Sequence, residues 1–363
     1  MKKTVVTAVL IAAIFGVTAF SSQVRESVVM SVDLCLRVIV PSLFGFMIIS
    51  EFTVKSKLYT VTNKPLRYIA RKVFHMTHGE FSVFLLSLIA GYPVGAGTVY
   101  ALEKDGAVSQ KRAENMYCFC VSSGPAFIIG TAGILFGELK PAGILFLSVT
   151  ASNIILACVL MSRCTYPQTE NEHGQVILSG LPAILNSSIH AAAVSLLKVC
   201  TSITVFGIVY TLIMQILPNM SGTAERIAAS VFEISNIMTF PGANYGSLPL
   251  FAALLSFGGI CVVFQIAAVT HGRLNLKKFL FSRIIAAGMS AGICKLLTVF
   301  LVLIPGKSAP ASAVPAVKYT QLTVIPSVLL LIMTAMTLAS TDSGVLNRNP
   351  KEKEKGKGKR KRK

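Results

Sequence analysis

The sequence contains no tryptophan, only 13% charged residues, and none of the short motifs that mark the common enzyme and metal-site classes. No Cys-x-x-Cys pair is present, and the cysteines (Cys35, Cys118, Cys120, Cys158, Cys164, Cys200, Cys261, Cys294) fall mainly inside or at the ends of apolar runs with no metal-type histidine partner nearby. They read as small packing residues. The absence of His-Glu-x-x-His and of a Gly-x-Ser-x-Gly elbow removes the zinc-peptidase and serine-hydrolase readings. Gly306-Lys307-Ser308 has the end of a phosphate loop, but the glycine needed five residues before Gly306 is Leu301, and no strand precedes it. His75 and His78 sit in a basic loop as solvated residues. The chain is therefore read as no enzyme, with no cofactor and no metal.

What is present is apolar sequence: 53% of the 363 residues are hydrophobic, in many runs of about twenty residues, the length that crosses a bilayer. This predicts an all-α polytopic membrane protein whose first partner is the lipid bilayer. The net charge of +19 suggests nucleic acid at first sight. Much of it lies in the segment 348–363, which carries ten Lys or Arg against Glu352 and Glu354. Such a tail cannot bury a core and reads as disordered. Beside a cytoplasmic membrane face it would favour anionic lipids, each cation contributing about 1 kcal/mol, and nucleic acid is not expected as a partner.

Along the chain, Lys2 and Lys3 precede an apolar run over 4–20, read as an uncleaved anchor within segment 1–33; the alternative is a signal peptide ending near Ser21. A span over 34–52 holds Pro41, and the basic loop 54–80 behind it is cytoplasmic by the positive-inside rule. The first membrane repeat is drawn over 34–161, a connection with an interfacial helix over 162–193, and a second repeat over 194–304. A loop and last span cover 305–340, and the basic cytoplasmic tail covers 341–363. In the run 279–304, Gly288-x-x-x-Gly292 permits close helix packing, and Arg283 and Lys295 lie on different faces.

The organising feature is a set of interruptions. Gly91-Tyr92-Pro93-Val94-Gly95 breaks the apolar run 81–102, and Ser122-Ser123-Gly124-Pro125 breaks the next. Proline removes a helical hydrogen bond, and irregular backbone at membrane depth survives only inside protein or beside a watery cavity. Both breaks have later echoes, at Glu233-Ile234-Ser235-Asn236 and at Ser256-Phe257-Gly258-Gly259, and Leu36-Arg37-Val38 is echoed by Leu197-Lys198-Val199. If 81–102 and 225–240 both cross the membrane, the repeats are parallel. If both re-enter, the repeats are inverted, with Lys104, Lys111, Arg112 and Arg163 inside and Lys140 and Arg226 outside. Counting cations favours the inverted, re-entrant arrangement, which is how a secondary transporter's central site looks from sequence.

The segments Gly91-Tyr92-Pro93-x-Gly95-Ala96 and Ser123-Gly124-Pro125-x-Phe127-Ile128, followed by Glu233-Ile234-Ser235-Asn236 and by Phe257-Gly258-Gly259 before Val263-x-Gln265, resemble the YlbJ-type sporulation integral membrane protein family. That family belongs to the Gate, or nucleoside-recognition, domain group. The resemblance covers about 34–303; its second copy is weaker, since Ile237-Met238 follow Asn236 and the next glycine is Gly242. It implies a multi-pass protein of the bacterial cell membrane in endospore formers, linked to spore assembly. It also implies a nucleoside-like solute, with sporulation membrane proteins or a second copy of the chain as partners. The competing class is a non-transporting scaffold for spore cortex or coat assembly.

Glu233 is the one carboxylate deep in a segment, and an intramembrane ionisable group serves an ion or solute path or pairs with a partner. The expectation is that Glu233, with Asn236 one turn on, binds a proton, a cation or a polar ligand; an ion pair with Lys295 or Arg283 is the bland alternative. Ser122, Ser123, Asn153 and Gln265 would line the same cavity, or else bond between helices. Gly91, Tyr92, Pro93, Gly95, Gly124, Pro125, Gly258 and Gly259 would shape the broken helices.

Overall fold

The computed structural model describes residues 2–58, 64–164, 180–216 and 222–303, all within one compact unit. The tail and the last span expected at 305–340 lie outside the described residues. Among these there is no strand. The helices are α1 (Lys2–Ala19), α2 (Ser21–Leu34), α3 (Val40–Lys55), α4 (Lys64–Lys72), α5 (His78–Ala90), α6 (Tyr92–Lys104), α7 (Gln110–Tyr117), α8 (Pro125–Phe136), α9 (Leu139–Ser162), α10 (Leu181–Ile216), α11 (Thr223–Phe232), α12 (Leu248–Phe257), α13 (Gly259–Val269) and α14 (Leu276–Leu303). A π-helical turn, Cys35–Ile39, joins α2 to α3, and a 3-10 segment, Ile234–Thr239, follows α11.

Among the described residues, four stretches are long and apolar enough to cross a bilayer: Leu139–Ser162, Leu181–Gln215, Tyr245–Val269 and Leu276–Phe300. A fifth forms if Ser21–Ile39 and Leu43–Lys55, bent by 62° around Pro41, count together. These are the helices of a multi-pass membrane protein by length and composition. The distribution of side chains agrees with lipid outside: Phe281, Ile284, Leu296 and Phe300 of α14 are exposed, while Arg283 on the same helix is wholly buried. Two boundaries differ from the sequence reading. Helix already runs through residue 33 into the first repeat, and no separate interfacial helix occupies 181–193, because α10 continues through it for 36 residues, roughly 54 Å. No proline or glycine interrupts α10 beyond Pro182 except Gly207, so nothing in its sequence stops it at 193.

The prolines of the first two breaks start new helices, and so does Pro249. Pro93, Pro125 and Pro249 all sit in the first two positions of α6, α8 and α12, where a missing N–H costs nothing. Upstream of the first break, α5 is fixed by a capping box: Thr77 Oγ1 accepts from Glu80 N at 3.3 Å, and Glu80 Oε2 accepts from Thr77 N at 2.8 Å.

At Gly91, with φ at +90°, the chain reverses. A Cβ built on Gly95 would lie 2.8 Å from Ser87 Cβ, although in one continuous helix eight residues separate two positions by roughly 12 Å. Glu80 and Glu103, at the outer ends of α5 and α6, both bind the eight-residue α7, through Arg112 and Tyr117. A straight helix would hold those two carboxylates roughly 35 Å apart. α5 and α6 therefore form a helical hairpin with its tip at Gly91-Tyr92. The second interruption also folds back: Asn236 Nδ2 donates to Ala229 O at 3.2 Å, and Arg226 donates to the Thr239 carbonyl, so the 234–239 turn lies along α11 with its tip at Glu233.

Two long-range pairings frame these hairpins. Cys35 reaches Cys200 O at 3.9 Å while Lys55 reaches Ser187 O at 2.7 Å, so α3 and α10 run antiparallel. Asn153 meets Arg283, and Ser148 meets Cys294, so α9 and α14 are antiparallel as well.

Candidate functional site

Three of the four interruptions meet at Tyr92. Its hydroxyl bonds with Ser123 Oγ and with the Leu255 carbonyl, and Ser123 Oγ donates to that same carbonyl at 2.7 Å. The ring stands 3.0 Å from where a Cβ on Gly258 would be. Gly259 in turn faces Ile234 N, Ser230 O and Val231 O at 3.2–3.3 Å, so the tip at Glu233 reaches the other side of the same glycine pair. Gly124 packs on Gly91, its would-be Cβ 3.0 Å from Ile89 O and 3.4 Å from Gly91 Cα. Helix breaks leave unpaired carbonyls and amides, and bringing them together lets them bind one another in place of water.

Arg283 supplies what the breaks lack. It is wholly buried, and its Nη1 donates to Val121 O at 2.5 Å and Ser256 O at 3.4 Å, while Nη2 donates to the Cys118 carbonyl and to Asn153 Oδ1 at 3.3 Å. A planar fork of donors suits several carbonyls at once. One guanidinium thus ties the loop before α8 to the end of α12. Its Nε and the neighbouring Ser256 Oγ have no hydrogen-bond partner among the described residues. The sequence reading noted Arg283 only as an ion-pair partner; the signal for its larger role was a cation in the first half of the apolar 279–304 run, well before Lys295.

The predicted residues divide into three groups. Ser122, Ser123 and Asn153 come together, with Asn153 Nδ2 on Ser122 Oγ at 3.2 Å, joined to Tyr92 and Arg283. Glu233 is buried but turns onto its own backbone, accepting from Ser235 N at 3.0 Å and from the Ser235 hydroxyl, which caps the 3-10 segment. Neither Arg283 nor Lys295 pairs with it among the described residues. Asn236 likewise serves its own hairpin, donating to Ala229 O and Glu233 O at 3.2 Å. Gln265, whose Nε2 reaches Cys261 Sγ at 3.3 Å, lies apart from the Arg283 network and lines a cavity. The glycines Gly288 and Gly292 have no atom within 4 Å of a built Cβ, so they are not a close-packing seam among the described residues.

That cavity has a volume of about 780 Å³ and lies between α3, α6, α10 and α13, with Pro93 and Gly97 of the first hairpin in its wall. Its polar groups include Ser50, Glu51, Thr98, Lys198, Gln265 and His271. The His271 ring packs at a tilt of 43° against Tyr100, with centroids 5.2 Å apart. A cavity of about 300–1,000 Å³, mostly apolar with a few polar groups, is the usual form of a small-molecule site. No group of three or more His, Cys, Asp or Glu poised to hold a metal occurs among the described residues.

The hairpin ends form a separate polar belt. Arg112 and Glu80 make a buried ion pair at 2.6 Å, with side chains 7% and 1% exposed. Arg273 bonds Glu103 at 2.7 Å, which raises the arginine above its ordinary pKa. Lys278 binds Asn115, whose Nδ2 meets Cys164 Sγ at 2.6 Å. Comparison of the chain with protein-family models, curated proteins and solved structures finds no match.

Proposed function

We propose that this chain is a membrane transporter or sensor of a small polar solute, built as an inverted repeat. The observation that carries this reading is the meeting of two fold-back hairpins at one glycine pair, the tip at Tyr92 on Gly258 and the tip at Glu233 on Gly259. In an inverted repeat, equivalent helices run in opposite directions, and the antiparallel pairing of α3 with α10 and of α9 with α14 supports that arrangement. The belt around Glu80, Arg112, Glu103, Arg273 and Lys278 gathers one end of the bundle, together with Lys55 and Arg163. Lys140 and Arg226 belong to the opposite end, beside the Tyr245 to Glu138 bond at 2.9 Å. Cations concentrated at one end support a cytoplasmic side for it.

Movement of one hairpin against Gly258-Gly259 would open or close the neighbouring cavity through Pro93 and Gly97. The resemblance to the YlbJ and Gate-domain group supports a nucleoside-like solute and a role in spore formation in a bacterial cell membrane. A second reading has its own support: both Nη groups of Arg283 are held by protein acceptors, as a rigid scaffold for cortex or coat assembly would require.

Thermal unfolding of the detergent-purified protein against nucleosides and small spore metabolites tests the choice, because a ligand that binds only the folded state raises the midpoint. Stabilisation by one class of compound supports transport or sensing and names the class. A folded protein that responds to none supports the scaffold.

A further inference from the structure

We propose that the cavity between α3, α6, α10 and α13 takes a solute bearing an anionic group, with Lys198 as its counter-ion. This rests on the transporter or sensor reading and narrows it. Lys198 is the only Lys or Arg in α10 and sits in the middle of that helix, 17 residues from Leu181 and 18 from Ile216. It lines the cavity and has no hydrogen-bond or ion-pair partner among the described residues. An unpaired ionisable group in the middle of a membrane helix marks a solute or ion path by default.

The other half of the chain shows what a compensated cation at the matching place looks like. Arg37, in the echoing Leu36-Arg37-Val38, is paired with Asp33 at 2.6 Å, one turn earlier. One turn before Lys198 the residue is Val194, which offers no charge. Among the described residues Glu51 is the one carboxylate in the cavity wall, and it faces Lys55 at 3.7 Å. Lys198 therefore has its positive charge open to a ligand.

Neutral donors stand in the same wall. Ser50 Oγ is fully buried without a partner among the described residues, and the Gln265 amide lies on the facing helix α13. A carboxylate or phosphate needs a cation and such donors. Met47, Val94, Phe206 and Phe264 give the rest of the cavity an apolar wall, which suits a ring or short hydrocarbon body. A lipid headgroup and a soluble organic anion share this chemistry.

The test uses the full-length protein in nanodiscs, with thermal unfolding read for wild type, Lys198→Met and Lys198→Arg. The probes are two matched pairs, benzoate with benzamide and uridine 5′-monophosphate with uridine, in phosphatidylcholine discs with and without phosphatidylglycerol. Lys198 is exposed, so both variants should match wild type without probe, which separates folding from binding. The expected result is that an anionic member raises the midpoint of wild type and Lys198→Arg, and that Lys198→Met weakens its binding by roughly tenfold to a hundredfold. A midpoint raised by phosphatidylglycerol alone, dependent on Lys198 and blunting the soluble anions, supports the anion site and names lipid as its source. Neutral members that stabilise wild type and Lys198→Met equally overturn the anion inference and leave the transporter or sensor reading standing. A folded wild type that no probe or lipid stabilises overturns the anion inference together with the reading beneath it.

Discussion

Replacing Gly95 by alanine strikes the first hairpin where it has no room. The added methyl group would drive into the Cys120 carbonyl oxygen, with the carbonyl carbon at 3.1 Å and Ser87 Cβ at 2.8 Å on the other side. Cys120 cannot easily retreat, because Arg283 holds the carbonyls of Cys118 and Val121 on either side of it. Overpacking a core costs about 1–3 kcal/mol. Backbone on one side and the partner helix on the other place this case near about 3 kcal/mol, a change of roughly a hundredfold in the folding equilibrium. Gly288→Ala is the matched control, since a Cβ there meets nothing within 4 Å. Alanine in a helix interior is worth about 0.5–1 kcal/mol over glycine. Both positions are helical and gain that propensity alike, so equilibrium unfolding in mixed micelles should separate the two variants by about 3 kcal/mol, the overpacking cost alone. Equal stabilities would refute the hairpin packing.

Three further outcomes follow from the polar contacts. Arg112→Met strands the buried Glu80 carboxylate and should cost about 3–5 kcal/mol in the same unfolding assay, while adding Glu80→Gln should recover most of the loss. Tyr92→Phe removes one hydroxyl but leaves the Leu255 carbonyl with Ser123, so it should cost only about 1 kcal/mol by the same measurement. Glu233→Gln keeps an oxygen for Ser235 N and should unfold near the wild-type midpoint with its solute-dependent stabilisation retained; loss of that stabilisation in a folded variant would show a working carboxylate in place of a cap.

Much of the frame could be read from the sequence because its signals are local. Gly91-Tyr92-Pro93 states a helix break and a fresh helix start within three residues, and Pro125 and Pro249 repeat the second of these. The grouping of the site was less accessible because it depends on contacts over long separations. Ser122, Asn153 and Arg283 are far apart in sequence yet share one network, while Gln265, close to Gly258 in sequence, points to a separate cavity. Arg283 looked like half of an ion pair because sequence shows cations and carboxylates but not the carbonyls that helix breaks set free. Glu233 looked like a ligand because its own backbone, which it caps, carries no charge to notice. The tightness at Gly95 and the openness at Gly288 look alike in sequence; only the neighbouring chain distinguishes them.

An inverted repeat with its site between the hairpin tips requires the α5–α6 pair to re-enter the membrane instead of crossing it. Single cysteines at Lys72, Asp105 and Glu138, in a background without the native cysteines, can be labelled with an impermeant maleimide in oriented vesicles of either sidedness. The re-entrant hairpin predicts that positions 72 and 105 react from the same side and 138 from the opposite one. Labelling of 105 from the side opposite to 72 would mean that the hairpin spans, and the inverted repeat and the site between its tips would fall with it.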